Sequence, residues 1–229
     1  MPLILIVGAS RGLGLAMAAE FLGRGWHVIG TVRPGGRTPL HDLAARTDDR
    51  LEIETLDMDD PAQIAALRGR LSGRRLDMLF VNAGTTTRDP LALIGAASTE
   101  EFTRVMVTNA LSPMRVIEAL QALVPPDGLI GAMSSGQGSI ANNETGLREV
   151  YRASKAALNM LMRSFAAREG DTPRAMVLMA PGWIRTDLGG DKAPFGIAET
   201  VPRIVDVLIA ARGTPGLRYL DRFGQTVPW

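Results

Sequence analysis

The sequence contains no cysteine. That excludes disulfides, thiolate nucleophiles and cysteine-ligated metals. Histidine occurs only at His27 and His41, too few for a histidine-rich metal site. No uninterrupted apolar stretch approaches the roughly 20 residues that span a bilayer. The opening MPLILIVGAS has a short apolar run with no positive region before it, which reads as a buried strand and not as a signal peptide. The formal net charge is +1, so no global field favours nucleic acid or a membrane surface. A cytoplasmic location is the expectation. Lysine is scarce too, at positions 155 and 192 only, while every other basic side chain is Arg. Lys offers a compact, tunable ammonium that Arg cannot imitate, so a Lys four residues after a Tyr stands out in this chain.

What is present is 229 residues, 46% of them hydrophobic, enough to bury the core of one α/β domain over residues 1–229. Short apolar runs at Leu3–Val7, Val28–Val32, Leu51–Leu56, Met78–Val81, Leu129–Met133 and Ala175–Ala180 predict strands, with a last short strand at Arg218–Leu220. Helical spacing appears at Leu13–Arg24, from Pro61 through Leu71, from Thr99 to about Leu123 with Pro113 as an interruption, at Val150–Glu169 and at Ile197–Ala211. Arg33–Pro39 and Ser134–Leu147 read as loops. Strands alternating with helices predict a Rossmann-type, doubly wound parallel sheet with helices on both faces.

Gly8-Ala-Ser-Arg-Gly12-Leu-Gly14 follows the first strand and opens a helix. In that setting glycines let the backbone approach a pyrophosphate, and the helix N-terminus favours its charge. The spacing is G-x-x-x-G-x-G, not the more familiar G-x-G-x-x-G; a glycine turn serving only tight packing is the alternative, and the placement between strand and helix favours cofactor binding. An NAD site usually carries an acidic side chain after the second strand. Here the stretch is Gly30-Thr-Val-Arg33, with no carboxylate. Arg33, and Arg11 from the glycine loop, can instead pair with a 2′-phosphate, a charged hydrogen bond worth roughly 1.5–3 kcal/mol. The expected cofactor is therefore NADP(H) in preference to NAD(H).

Tyr151-Arg-Ala-Ser-Lys155 sets a phenol and an ammonium at i and i+4, on one helix face. A phenol near pKa 10 is a poor acid–base at neutral pH, and a nearby ammonium is expected to lower it. Such a pair suits proton transfer to a carbonyl oxygen. By itself, Y-x-x-x-K is better explained by an ordinary helix face, with Tyr half-buried and Lys in water.

Taken in order, these segments resemble the classical short-chain dehydrogenases/reductases across nearly the whole chain. The resemblance runs through Gly8–Gly14, Leu56-Asp57-Met58, Asn82-Ala83-Gly84, Asn109, Ser134-Ser135, Tyr151, Lys155 and Pro181-Gly182-Trp183-Ile184-Arg185-Thr186. Residues 151–159, 185–190 and the terminal Val-Pro-Trp are similar to the C-factor-like branch, which includes carbonyl reductases and proteins linked to signalling. The resemblance implies that Gly8, Ser10, Arg11, Gly12, Leu13, Gly14, Arg33, Asp57, Met58, Asn82, Ala83, Gly84, Tyr151, Lys155, Pro181, Gly182, Ile184 and Thr186 bind the cofactor. It implies Asn109, Ser135, Tyr151 and Lys155 as the catalytic set. Ser135 would hold the substrate oxygen, Tyr151 would transfer its proton, and Lys155 would bind the nicotinamide ribose. Asn109 would help hold a water linking Lys155 to solvent.

Ser135 and Tyr151 stand 16 positions apart, about three more than in many relatives, and Ser134 is an alternative to Ser135. Only a short segment separates Thr186 from the helix near Ile197, which predicts an open pocket, with Trp183, Phe195 and Met133 as candidate walls. The expected partner is a small carbonyl or alcohol substrate. Phe102–Leu123 offers a face for a homodimer, although a monomer fits equally well. A cofactor-binding regulatory or signalling protein is the competing reading. A methyltransferase leaves residues 82–186 unexplained, and a serine hydrolase lacks the G-x-S-x-G elbow.

Overall fold

The computed structural model describes residues 1–47 and 49–229. Its centre is a seven-stranded, all-parallel sheet in the order β3-β2-β1-β4-β5-β6-β7. The strands are β1 (Leu3–Val7), β2 (His27–Val32), β3 (Leu51–Thr55), β4 (Met78–Val81), β5 (Leu129–Met133), β6 (Ala175–Ala180) and β7 (Gly216–Asp221). The helices are α1 (Gly12–Gly23), α2 (Pro39–Ala44), α3 (Pro61–Arg70), α4 (Thr99–Met106), α5 (Ser112–Leu120), α6 (Glu149–Glu169) and α7 (Ile197–Ala211). No helix among the described residues is long and apolar enough to cross a membrane.

The central strands are apolar on both faces because both faces are covered. In β1, Leu5 and Val7 join one core cluster, while Ile4 and Ile6 join the other. The first cluster includes side chains from α3, α5 and α6, and the second includes side chains from α1 and α7. Strand period two thus splits one apolar run between two cores. Strand order reverses between β1 and β4, which opens a crevice at their carboxyl ends, the usual ligand position in such sheets.

The helix expected to run from Thr99 to Leu123 is divided. A wide turn at Val107–Leu111 separates α4 from α5, and the Ser112 N–H donates to the Val107 carbonyl five residues back. Pro113 has no N–H to return to the Asn109 carbonyl four residues before it, which accounts for the break. Helix α2 was not evident in the sequence. Pro39 sits at its start and the His41 Nδ1 accepts the Thr38 N–H at 3.1 Å, so a side-chain contact and a favourable proline, not periodicity, define it. The last strand extends two residues earlier and one later than Arg218–Leu220, held along its length by β6.

Close packing at the sheet centre is testable at Gly131. A Cβ there would lie 2.7 Å from the Phe80 ring. Gly131→Val should cost about 1–3 kcal/mol through overpacking, lowering Tm by roughly 2–4 °C per kcal/mol. Thermal unfolding followed by circular dichroism measures this, and an unchanged Tm would contradict the packing described.

Candidate active site

The glycine turn is shaped by what it touches. Gly8 follows β1 with φ +86, and a Cβ there would lie 2.6 Å from the Ala83 Cβ. Gly14, in the first turn of α1, would drive a Cβ to 2.0 Å from the Gly8 carbonyl oxygen. Only glycine allows both the left-handed turn and the close helix–strand approach. The Asn82 side chain then donates to that same Gly8 carbonyl at 2.8 Å, tying the end of β4 to the turn after β1. Thr31 on β2 completes the frame: its hydroxyl accepts the Gly8 N–H at 2.9 Å.

Helix α1 begins without a cap of its own. Arg11 contributes no side-chain acceptor, and the first turn contains no acidic residue. Its leading N–H groups and its positive dipole end adjoin a cleft of about 640 Å³. An anionic diphosphate suits that end. The cleft is lined by Gly8, Ser10, Arg11, Gly12, Leu13, Arg33, Asp57, Met58, Asn82, Ala83, Gly84, Ser135, Tyr151, Lys155, Pro181, Gly182, Ile184 and Thr186, all of them singled out from the sequence. Gly14 and Asn109 do not line it. Gly14 is packed against the turn, and Asn109 is wholly buried behind it.

Arg33 is exposed at the end of β2 and has no carboxylate partner among the described residues. Arg11 differs: it pairs with Asp187 at 2.7 Å, a solvent-exposed contact that competes with any phosphate role. Asp57 uses its carboxylate to accept the Asp59 N–H at 3.0 Å, and its own N–H donates to Gln63 at 2.8 Å, so the turn after β3 is fixed locally.

At the other end of the cleft, α6 presents Tyr151 and Lys155, both buried. Burial pushes the Tyr151 phenol above its ordinary value, against the opposing pull of the Ser135 side chain and the Arg148 charge. The expected lowering by Lys155 does not appear among these influences. The Lys155 ammonium lies 5.9 Å from the centre of the Tyr151 ring and donates to the Met133 carbonyl at 2.9 Å. Burial pushes Lys155 itself down to about 8, because an enclosed ammonium has lost its water.

Ser134 and Ser135 diverge at the end of β5. The Ser134 hydroxyl is buried and donates to Asn159 at 2.6 Å, while the Ser135 side chain faces the phenol. Tyr219 on β7 donates to the Ser135 carbonyl and so helps set its backbone. Nothing in the sequence pattern gave Tyr219 or Asn159 a role in the site, since each acts through a partner distant in the chain. Asn109 spends its side chain on Thr85: its amide donates to the Thr85 carbonyl at 2.8 Å, and its oxygen accepts the Thr85 N–H at 2.8 Å. Its amide also meets the Ser154 hydroxyl at 3.0 Å, tying it to α6.

Of the candidate pocket walls, Met133 and Trp183 line the cleft. Phe195 does not. Its ring is covered by the Arg222 guanidinium at 3.8 Å, and Arg222 also donates to the Pro181 carbonyl at 3.2 Å. Phe195 therefore braces the Pro181–Gly182 segment from behind. Thr85, Arg104, Gln137 and Arg148 line the cleft as well and were not identified from the sequence.

Residues 2–195 match the family profile described as short chain dehydrogenase. A structure described as a short-chain dehydrogenase/reductase from Burkholderia multivorans with bound NADP superposes with a TM-score of 0.99 at 67% identity, covering 100% of this chain and 99% of the other. A carbonyl reductase from Pseudomonas aeruginosa PAO1 in complex with NADP superposes at 0.92 with 36% identity, covering 100% of both chains. C-signal from Myxococcus xanthus is 32% identical over 156 residues, 67% of this chain and 93% of that protein. The uncapped glycine turn, the buried Tyr–Lys helix and these matches agree: the chain belongs to the short-chain dehydrogenase family of oxidoreductases.

Proposed function

We propose that this oxidoreductase uses NADP(H) and interconverts a small carbonyl compound and its alcohol, with Tyr151 transferring the proton. The observation that carries this reading is the meeting of Ser135, Tyr151 and Lys155 in one cleft with the glycine turn. The unpaired Arg33 supports a 2′-phosphate, as does the NADP in the Burkholderia and Pseudomonas structures. When bound, the nicotinamide supplies the hydride for reduction or accepts it in oxidation.

The chain's own residues do the rest. The Ser135 hydroxyl holds the substrate oxygen beside the phenol. Tyr151 gives its proton to that oxygen in reduction and takes it back in oxidation. A phenol raised by burial stays protonated through neutral pH, which suits the donor role. Lys155 would hold the ribose hydroxyls of the bound cofactor. Asn109 locks Thr85 and α6 together, and its carbonyl, deprived of the Pro113 N–H, is the natural anchor for a water leading from Lys155.

A second reading, an NADPH-binding regulator with little turnover, is favoured by the similarity to C-signal. A panel of aldehydes, ketones and quinones followed by NADPH absorbance separates the two. Turnover of at least one member, lowered by on the order of 10²-fold or more in Tyr151→Phe with NADPH binding kept, is the expected result. Full activity of that variant sinks the mechanism. Tight NADPH binding with no turnover across the panel favours the regulator.

Arg33→Asp should weaken NADPH binding by about tenfold or more. Calorimetric titration measures this, and an unaltered Kd for NADPH would remove Arg33 from the cofactor site. Below about pH 8 Lys155 keeps its proton, and it loses it above. The kcat/KM for reduction should therefore decline above about pH 8. In Lys155→Arg, whose guanidinium stays charged, the decline should move to higher pH at a lower overall rate. A profile flat to about pH 10 in the unmodified protein would contradict the role of the ammonium.

A further inference from the structure

Four arginines line the cleft: Arg11, Arg33, Arg104 and Arg148. Two are neutralised, Arg11 by Asp187 at 2.7 Å and Arg104 by Glu101 at 2.9 Å. Arg33 and Arg148 have no carboxylate partner among the described residues. They sit at opposite ends. Arg33 follows β2, beside the glycine turn, whereas Arg148 immediately precedes α6, three residues before Tyr151.

Arg148 is held in place for more than surface solvation. Its backbone is left-handed, φ +64, a conformation rare for a non-glycine side chain. That turn lays the guanidinium over the Tyr151 ring, 5.2 Å from its centre. Its hydrogen bonding is incomplete. One contact to the Thr86 hydroxyl is long, at 3.3 Å, and the buried Nε has no partner. A buried guanidinium N–H without an acceptor is costly. Arg174, Arg212 and Arg218 also keep an unpartnered Nε, but of these four only Arg148 lines the cleft, so an acceptor entering there can satisfy it. Two carboxylates on neighbouring elements are committed elsewhere. Glu101 accepts from Arg104 and from the Arg88 N–H, and Glu149 accepts the Ile94 N–H at 2.7 Å.

We propose that Arg148 binds a carboxylate carried by the substrate, so that the cleft selects carbonyl compounds bearing an anionic group a few bonds from the reacting carbon. The guanidinium fork matches a carboxylate in two parallel hydrogen bonds, and its place over the Tyr151 ring sets that group beside the proton donor. The inference rests on the oxidoreductase reading of Tyr151 and names the substrate class for that site.

The test uses matched pairs: 3-formylbenzoate and 4-formylbenzoate, each against its methyl ester, with NADPH. For at least one pair, the intact protein should show a kcat/KM for the carboxylate exceeding that for the ester by on the order of tenfold. Arg148→Gln should bring that ratio close to one, and Arg148→Lys should keep part of it. The ratio is the deciding quantity. If Arg148 merely tuned the Tyr151 phenol or capped α6, both members of a pair would slow together and the ratio would stay. A ratio near one for both pairs in the intact protein, or a ratio untouched by Arg148→Gln, overturns the proposal. If none of the four aldehydes is reduced, the carbonyl-reductase reading is decided by the wider panel above and not by Arg148. Calorimetry of isophthalate binding to the protein loaded with NADP⁺ then decides on Arg148 alone: binding that vanishes in Arg148→Gln sustains the anion site, and no binding, or equal binding in both, rejects it. NADPH affinity retained by both variants confirms that they are folded.

Discussion

The Gly8 carbonyl is the joint on which the site depends. Asn82 donates to it from the end of β4 at 2.8 Å, and Gly14 of α1 packs so closely over it that no side chain fits between. β1 and β4 are neighbours in the sheet but distant in the chain, and their carboxyl ends flank the crevice. The hydrogen bond fixes the spacing of those two ends. It thereby sets the distance between the glycine turn and the Asn-Ala-Gly turn that leads to Thr85. Asn109 carries the restraint onward, from Thr85 to Ser154 on the Tyr151 helix. The glycine turn and the Tyr151 helix are thus parts of one hydrogen-bonded frame.

Electrostatics at the two ends of the cleft follow different logic. At the glycine turn, Arg33 is exposed without a carboxylate partner among the described residues, and the first N–H groups of α1 carry no side-chain cap. At α6 the ionisable groups are enclosed, and desolvation governs them. It raises the phenol and lowers the ammonium, moving both toward their neutral forms. Ionisable groups held this way are sensitive to each added charge. Arg148 over the ring is one such charge within the chain itself. The near absence of lysine elsewhere gives the single buried one its meaning. An Arg at 155 would bring a larger, permanently charged head into the space where Lys155 reaches the Met133 carbonyl.

Much of this was legible in the sequence. Short apolar runs marked the inner strands, because parallel strands buried on both faces leave few other choices of residue, while β3 and β7 at the sheet edges were marked by weaker or shorter patterns. The order of Gly8–Gly14, Asn82–Gly84, Ser135, Tyr151–Lys155 and Pro181–Thr186 marked the cleft, since each segment ends a strand or opens a helix on the same edge of the sheet. Helix α2 was missed because a proline and a single side-chain cap define it. The division of the long helix around Asn109 was foreshadowed only by Pro113; its wide turn is a matter of backbone hydrogen bonding that no side-chain pattern reports.

By itself the sequence determined the fold, the glycine turn, the lack of an acidic residue after β2, and the presence of a phenol and ammonium one helical turn apart. These are local properties, set by residue type and spacing. The tertiary structure decided which serine faces the phenol, because Asn159, 25 residues away, takes the other one. It also decided that Arg11 is paired and Arg148 is not, that Phe195 braces a loop without lining the cleft, and that burial outweighs nearby positive charge at Tyr151. Each of those outcomes depends on desolvation or on partners brought together across the chain, and neither can be read from a residue's neighbours in sequence.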